Sequence, residues 1–456
     1  KKVRRDVVKR EMPEVIFRQA RLADQVGGKA PEAVHDEAAA RLEQIHAQGI
    51  AEADDRERMY RDLEGNPQLQ QLKRAFDAWC AVWFWPADRI GEAPTPVGFQ
   101  QLTPEQQQVV DELRGDYRFF HWELEFPDVF REGRGTRNEE RASDSASRSS
   151  PLVPRSFPGF HAILGNPPWE IQKPSSKEFF SNLDPLYRTY GKQQALAVQK
   201  EMFAHAADDE RGWLAYSARF KALSNWNKYV ATPFGDPKED DGFSLSRSSK
   251  ENEGFHAQWR ENRAGHVSYA DPRHPFRHQG SADINTYKMF LEAGHAFLAD
   301  GGQLGLIVPS GLYTDKGTTD LRRLFLEECR WRWLFGFENR AKIFDIDSRF
   351  KFCVVIVAKG VPSPASPRER AQGEGSLLTA FMRHDLDDWA AGERHAIPYE
   401  RAQVERFSPR TRAILEIRDK RDLEVLEKIY ANSVLLGADG PDGWGIKYTT
   451  EFHMTN

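Results

Sequence analysis

Four short apolar runs constrain this chain most. Phe160–Leu164 runs into Gly-Asn-Pro-Pro-Trp, QLGLIVP closes at Pro309, WLFGFEN spans 333–339, and FKFCVVIVAKG spans 350–360. Each is strand length. Each is continuous rather than alternating, which marks a sheet covered on both faces. Two helical segments lie among them. DINTYKMFLEAGHAFLADGG (283–302) is amphipathic and expected to close at Gly301-Gly302, and TTDLRRLFLEECRW follows QLGLIVPSGLY. Apolar strands alternating with helices predict an α/β sheet.

Composition narrows the class. The 456 residues carry a net charge of −5, so a general positive field does not hold nucleic acid, and any such contact is local or lies outside this chain. Cys80, Cys329 and Cys353 are far apart and form no CxxC pair, which argues against a zinc module and fits a reducing cytoplasm. Cys353 reads as core. No apolar run approaches transmembrane length, and the start, KKVRRDVVKRE, has no signal-peptide pattern. With no initiator Met and an open ending at EFHMTN, the chain is expected to be a piece of a longer protein.

Five segments follow from the pattern. Residues 1–115 read as helical and charged, packing on the core. They include LQQLKRAFDAWCAVWFWP, a buried helix ended by Pro86 whose tryptophans are core, and a helix start at Thr103-Pro104-Glu105. Residues 116–169 form a lead-in, a flexible loop at 131–155 and the strand before Asn166. Residues 170–280 read as an insertion, helical and loop-rich, with GDPKEDDGFSLSRSSKENEG as a loop. Residues 281–360 hold the C-terminal half of the sheet. Residues 361–456 read as a connector, with strand-like LLTAFMRHDL and helical LEVLEKIYANSVLL.

Asn166-Pro167-Pro168-Trp169 carries the chemistry. Two prolines cannot continue a strand, so the chain leaves the sheet in a locked, extended loop. In an open α/β sheet that edge is where ligands sit. The Asn166 side-chain carbonyl and a proline carbonyl make a rigid pair of acceptors, which suits a planar NH₂ group with its two donors. Trp169 adds a flat face for a ring. The set describes a pocket for an exocyclic amine on an aromatic ring. Methyl transfer to that nitrogen fits it, by electrostatic preorganisation without a strong base. In duplex DNA the target base must be flipped out.

At these residues the chain resembles amino-methyltransferases dependent on S-adenosyl-L-methionine, whose catalytic loop reads Asn/Asp-Pro-Pro-Tyr/Phe/Trp. DINTYKMFLEAGHAFLADGGQLGLIVPSGLY and KIFDIDSRFKFCVVIVAKG follow in that family's order. HWELEFPDVF…GFHAILGNPPWE and EFHMTN are similar to large phage-defence methylases of the type IIG restriction–modification, BREX and DISARM kinds, which modify adenine N6. The resemblance implies an α/β, Rossmann-like class I methyltransferase core, partial in this chain, with helical insertions. It implies catalytic roles for Asn166, Pro167, Pro168 and Trp169, and a base sandwiched by Trp169 and Phe344. A plain core Phe344 is the other reading. It also implies S-adenosyl-L-methionine as cofactor and double-stranded DNA as partner, with other defence subunits possible and no membrane.

Pro309, Glu338 and Asn339 end strands at the functional edge and are candidates for lining the pocket. The family's glycine loop and ribose-binding acid match nothing in 1–160; Gly27-Gly28 has no strand before it. Beyond Asn166 at its edge, the cofactor site is expected upstream of Lys1. No metal site is expected, and Asp283 beside Asn285 reads as a helix cap. Lys316 and Arg322 have two readings, phosphate contact or a solvated helix face. His121 and Trp122 read as core. Two alternatives remain: a non-catalytic DNA-binding or scaffold subunit, and a methyltransferase acting on cytosine N4 or a protein glutamine.

Overall fold

The computed structural model describes residues 31–48, 52–94, 99, 101–130, 159–229, 257, 261, 278–280, 285–360, 376–435 and 444. Gly27-Gly28, the loops at 131–155 and 235–254, Asp283 and the final EFHMTN lie outside them. The chain divides into two units, residues 1–161 with 170–300, and residues 162–169 with 301–456.

The first unit is helical. Helices α1 (Pro31–Ala47), α2 (Ala53–Glu64), α3 (Pro67–Ala81) and α4 (Pro104–Tyr117) pack around Phe76, Trp79, Trp83, Val109, Val110 and Leu113. Their starts follow from sequence chemistry. The Asn66 carboxamide accepts from the N–H groups of Gln68 and Leu69 at 3.0 and 3.1 Å ahead of α3. Thr103 and Gln106 exchange reciprocal side-chain to backbone bonds ahead of α4. Helix α3 ends at Ala81, five residues before Pro86, and Trp83 and Trp85 beyond it are buried. The tryptophans are core.

One buried polar cluster inside this unit is paired. His121 Nε2 lies 2.8 Å from Asp77 Oδ1, and Arg114 Nε lies 3.5 Å from Asp77 Oδ2. His121 is buried, with the edge of Phe76 against its ring. Farther along are α5 (Lys192–His205), α6 (Ala207–Tyr229) and α7 (Thr286–Phe297). Helix α7 stops before the expected Gly301-Gly302, because Leu298 turns extended (φ −72°, ψ 140°) and begins a strand. Backbone crowding explains it: a Cβ on Gly159 would lie 2.6 Å from both the Ala299 nitrogen and the Phe297 oxygen.

Six strands form one sheet: β1 (Phe160–Gly165), β2 (Leu298–Pro309), β3 (Cys329–Glu338), β4 (Lys351–Lys359), β5 (Leu377–Arg383) and β6 (Ile397–Tyr399), in the order β1-β2-β4-β3-β5-β6. Strand β4 is antiparallel to β2 and β3, β5 is parallel to β3, and β6 is antiparallel to β5. Gly159 abuts Leu298 and Ala299 while Gly165 abuts Leu306, so β1 and β2 run the same way. This is the α/β class.

Two expectations are corrected. Strand β1 is not buried: Leu164 is 81% exposed, and only Phe160 and Ile163 are half-buried. It lies at the sheet's edge, with β2 as its one strand neighbour among the described residues. Nor is 361–456 a connector throughout, since β5 and β6 extend the sheet and α9 (Arg401–Phe407) and α10 (Lys420–Ala431) follow.

Arg322 answers to neither expected reading. On α8 (Thr319–Glu328) it is fully buried. Its guanidinium donates to the carbonyls of Leu312, Asp315 and Thr411 at 2.7–3.1 Å and to Thr318 Oγ1 at 2.5 Å. It clasps the turn after β2 to the segment before α10. Lys316 is exposed.

Glu123 gives the helical unit a pH dependence. Burial pushes its carboxyl up to about 7. The unfolded chain then loses this proton first, so stability falls as pH rises from about 4.5 to about 7 and levels off above. Glu123→Gln is expected to raise the melting temperature of this unit at pH 8 and not at pH 5. After discounting for partial exposure, the gain corresponds to ~1–2 kcal/mol. Thermal melts followed by circular dichroism at the two pH values check it; equal shifts at both would refute it.

Candidate active site

Because β1, β2, β3 and β5 share a direction, their C-terminal ends meet one edge of the sheet. Gly165, Pro309, Glu338 and Arg383 close the four strands there. Strand β4 runs the other way and brings its first residues, Lys351 and Phe352, to the same edge, with Phe352 opposite both Pro309 and Phe337. The Ser310 N–H donates to the Lys351 carbonyl at 3.1 Å and ties the turn after Pro309 to this corner.

The loop after β1 is anchored at one end and open at the other. Pro167 is buried, Pro168 exposed and Trp169 half-buried. Trp169 packs with Phe335, Phe337 and Phe352, and its indole N–H donates to the Ile307 carbonyl at 3.2 Å. That bond satisfies the one polar atom of the ring and fixes the loop against β2. Asn166 is exposed, and its carboxamide makes no hydrogen bond among the described residues. The sequence-predicted acceptor is therefore presented and unengaged.

Asn339 has the opposite fate. It is fully buried just past β3. Its Nδ2 donates to the carbonyls of Phe344, Ile346 and Asp347 at 2.9, 3.2 and 3.4 Å, and its Oδ1 accepts the Phe344 N–H at 3.0 Å. Its backbone N–H donates to the Phe350 carbonyl at 2.9 Å. The amide is fully committed to shaping the 340–350 loop, so Asn339 does not line a pocket.

Trp169 and Phe344, the expected base sandwich, lie in contact with each other. The rings meet edge to face, with centroids 5.7 Å apart at 80°, and Phe344 also edges Phe352 at 4.9 Å and 73°. Two rings in edge contact leave no parallel slot between them. Phe350 is the residue parallel to Trp169, at 5.5 Å and 6°.

Glu338 is held as an anion. Burial pushes its carboxyl up, but hydrogen bonds from Lys351 and His384 and the charge of Arg340 bring it below its ordinary value. Arg340 Nε lies 2.7 Å away, and Lys351 Nζ and His384 Nε2 each lie 3.3 Å away. Lys351 also pairs with Glu416 at 2.6 Å, and Glu416 accepts from the Tyr313 hydroxyl at 2.8 Å. So engaged, Glu338 is a charge anchor and not a general base. Sequence reasoning missed Phe350, Lys351, His384 and Glu416. The first two were read only as strand, although an aromatic and a cation at a strand's start were the available signal. Among the described residues no three His, Cys, Asp or Glu side chains come together to hold a metal.

Residues 263–344 match the family model described as the Eco57I restriction-modification methylase. The matched segment is thus similar to restriction–modification methylases. It takes in α7, β2, α8 and β3 and ends at Phe344, leaving out Asn166–Trp169. Among solved structures, the chain is similar to the ATP-dependent Type ISP restriction-modification enzyme LlaBIII bound to DNA, at 12% identity and a TM-score of 0.24. That match covers 68% of this chain, which spans only 16% of the enzyme's length. No curated protein matches.

Asn339→Ala would leave three carbonyls and one N–H of the loop without their partner. The expected result is a loss of about 2–3 kcal/mol and faster hydrogen–deuterium exchange across 340–350, with β4 unaffected. Exchange measured by mass spectrometry that stays at the wild-type rate in this loop would refute the role.

Proposed function

We propose that this chain carries the acceptor side of a DNA methyltransferase that modifies the N6 amine of a flipped-out adenine, within a phage-defence system of the restriction–modification, BREX or DISARM-like kind. One observation carries the reading: an exposed, unengaged Asn166 carboxamide on a Pro-Pro loop anchored by Trp169 at the C-terminal edge of parallel strands. The similarity of 263–344 to restriction–modification methylases supports it.

The chain's own residues act on the amine. Asn166 Oδ1 and the Pro167 carbonyl accept its two N–H bonds. Neutral acceptors draw the lone pair out of conjugation with the ring and stabilise the positive charge that grows on nitrogen. Pro168 keeps the acceptors from drifting, since its φ is fixed. The methylated nitrogen loses its proton after transfer, so no side chain needs to take it in the transition state. The donor this reading implies is S-adenosyl-L-methionine, which supplies an electrophilic methyl group when bound. The described residues do not form a cradle for it. Strand β1 runs into Pro-Pro rather than a glycine turn, and the acid closing β3 is tied to Arg340, Lys351 and His384. Asn166 lies at the edge of the cofactor site in this reading.

Double-stranded DNA is the partner in this reading. Local charge near the site is already paired, Arg340 with Glu338 and Arg349 with Asp347, in keeping with a chain of net charge −5. No helix among the described residues is long and apolar enough to cross a membrane.

Asn166→Ala is expected to lower methyl transfer at least ~100-fold while DNA binding stays within about twofold, well inside the tenfold that 1.4 kcal/mol would produce. The check is incubation with S-adenosyl-L-methionine and unmodified DNA, digestion to nucleosides and mass spectrometry. N6-methyladenine from wild type alone supports the assignment. N4-methylcytosine would change the base, and DNA binding with no methylated base would favour a scaffold role.

A further inference from the structure

The edge holds a second aromatic ring, one to which the resemblance gave no role. Phe350 is 38% exposed at the mouth of the 340–350 loop, and it lies parallel to Trp169 at 5.5 Å and 6°. Phe344 is different. It is half-buried, wedged edge-on against Trp169 and Phe352, and belongs to the apolar cluster of Phe335, Phe337 and Phe352. An edge-on ring inside a cluster serves packing. An exposed ring held parallel to an indole offers a flat ligand a second face.

We propose that Phe350, and not Phe344, is the partner of Trp169 in binding the acceptor ring, which slides between the two and replaces their mutual contact. The proposal rests on the reading of Asn166–Trp169 as an amine-binding loop on a flipped base. The backbone of Phe350 is fixed on both sides: its carbonyl accepts the Asn339 N–H at 2.9 Å, and its N–H donates to the Asp347 carbonyl at 3.0 Å. Opening therefore falls to its side-chain torsions, which must part the two planes by about one ring thickness, ~3.5 Å. Trp169 stays in place, because its indole N–H is bonded to Ile307. Phe344 and the Asn339 amide hold the loop that carries the moving ring.

Two readouts on Phe350→Ala, Phe350→Leu, Phe350→Tyr and Phe344→Leu test this. The first is methyl-transfer kinetics. Phe350→Ala and Phe350→Leu are expected to lower kcat/KM about 5- to 150-fold, mainly through KM, with melting temperature unchanged, as loss of one base–aromatic stack predicts. Phe350→Tyr keeps a ring and stays near wild type. Phe344→Leu lowers the melting temperature instead. The second is the emission of 2-aminopurine placed at the target adenine, at saturating protein. A ring between Trp169 and Phe350 is quenched by stacking, so emission is expected to rise in Phe350→Ala.

Phe350→Ala with kcat/KM within twofold of wild type and unchanged emission overturns the proposal while leaving the role of Asn166 standing. A wild type that transfers no methyl group, yet shows the emission rise in Phe350→Ala, supports the stack and removes the methyl-transfer reading. No emission change in any variant overturns the stack whatever the kinetics show.

Discussion

Strand β4 is the constraint on which the second unit depends. It pairs with β2 through Gln303–Pro309 and with β3 through Cys329–Glu338, and Phe352, Cys353, Val355 and Val357 along it are buried. Each such side chain contributes about 1.5–3 kcal/mol when fully buried. The strand has no register freedom, because a one-residue slip would turn this apolar set outward. Its direction matters as much as its burial. Running against its neighbours, it starts where they end, and so delivers Phe350, Lys351 and Phe352 to the edge that holds Asn166. A parallel strand in that place would put them at the far edge, and Trp169 would lose Phe350 and Phe352 from its aromatic wall.

Two asparagines at strand ends show how one residue type divides between structure and chemistry. Asn339 and Asn166 each follow a strand at the same edge. The first has every donor and acceptor of its carboxamide engaged inside the protein. A buried amide so satisfied rigidifies what surrounds it and is unavailable to a ligand. The second has none engaged. What separates them is the chain that follows. After Asn339 eleven residues loop back over the side chain before β4 begins, and their carbonyls need a donor. After Asn166 come two prolines without N–H groups, and the next residue, Trp169, bonds Ile307 instead.

Much of this was legible in the sequence. Continuous apolar runs located β2, β3 and β4, Pro309 ended β2, and Thr103-Pro104 began α4. The Asn-Pro-Pro-Trp loop falls at the strand end where the pattern put it. What was not legible depended on neighbours. The same apolar composition that buries β4 leaves Leu164 of β1 exposed, because burial of a strand is set by what flanks it. Helix α7 kept its period toward Gly301, but close approach of the Gly159 backbone made Leu298 extended. Arg322 looked like a surface cation because no spacing rule reveals carbonyls supplied by residues 312–318 and 411. Phe344 and Phe350 are both aromatics beside β4. Only the fold of their loop, set by Asn339, decides which is wedged edge-on and which lies flat.

The electrostatics of the edge fit a neutral acceptor. Glu338 and Glu416 share Lys351 between them, and Arg340 and His384 complete the set around Glu338. Charges of both signs are matched within a few ångströms, so the network projects little net field and would attract a charged small substrate weakly. Glu338 is also a poor base, since its oxygens are engaged by Arg340, Lys351 and His384 and its carboxyl is held below its ordinary value. An amine that must be deprotonated before attack would find no partner here. An amine that attacks while neutral, and sheds its proton afterward, needs only fixed carbonyl acceptors. In the proposed reading those are Asn166 and the Pro167 carbonyl. The chemistry that the loop permits and the chemistry that the charge network denies thus point to the same class of nucleophile.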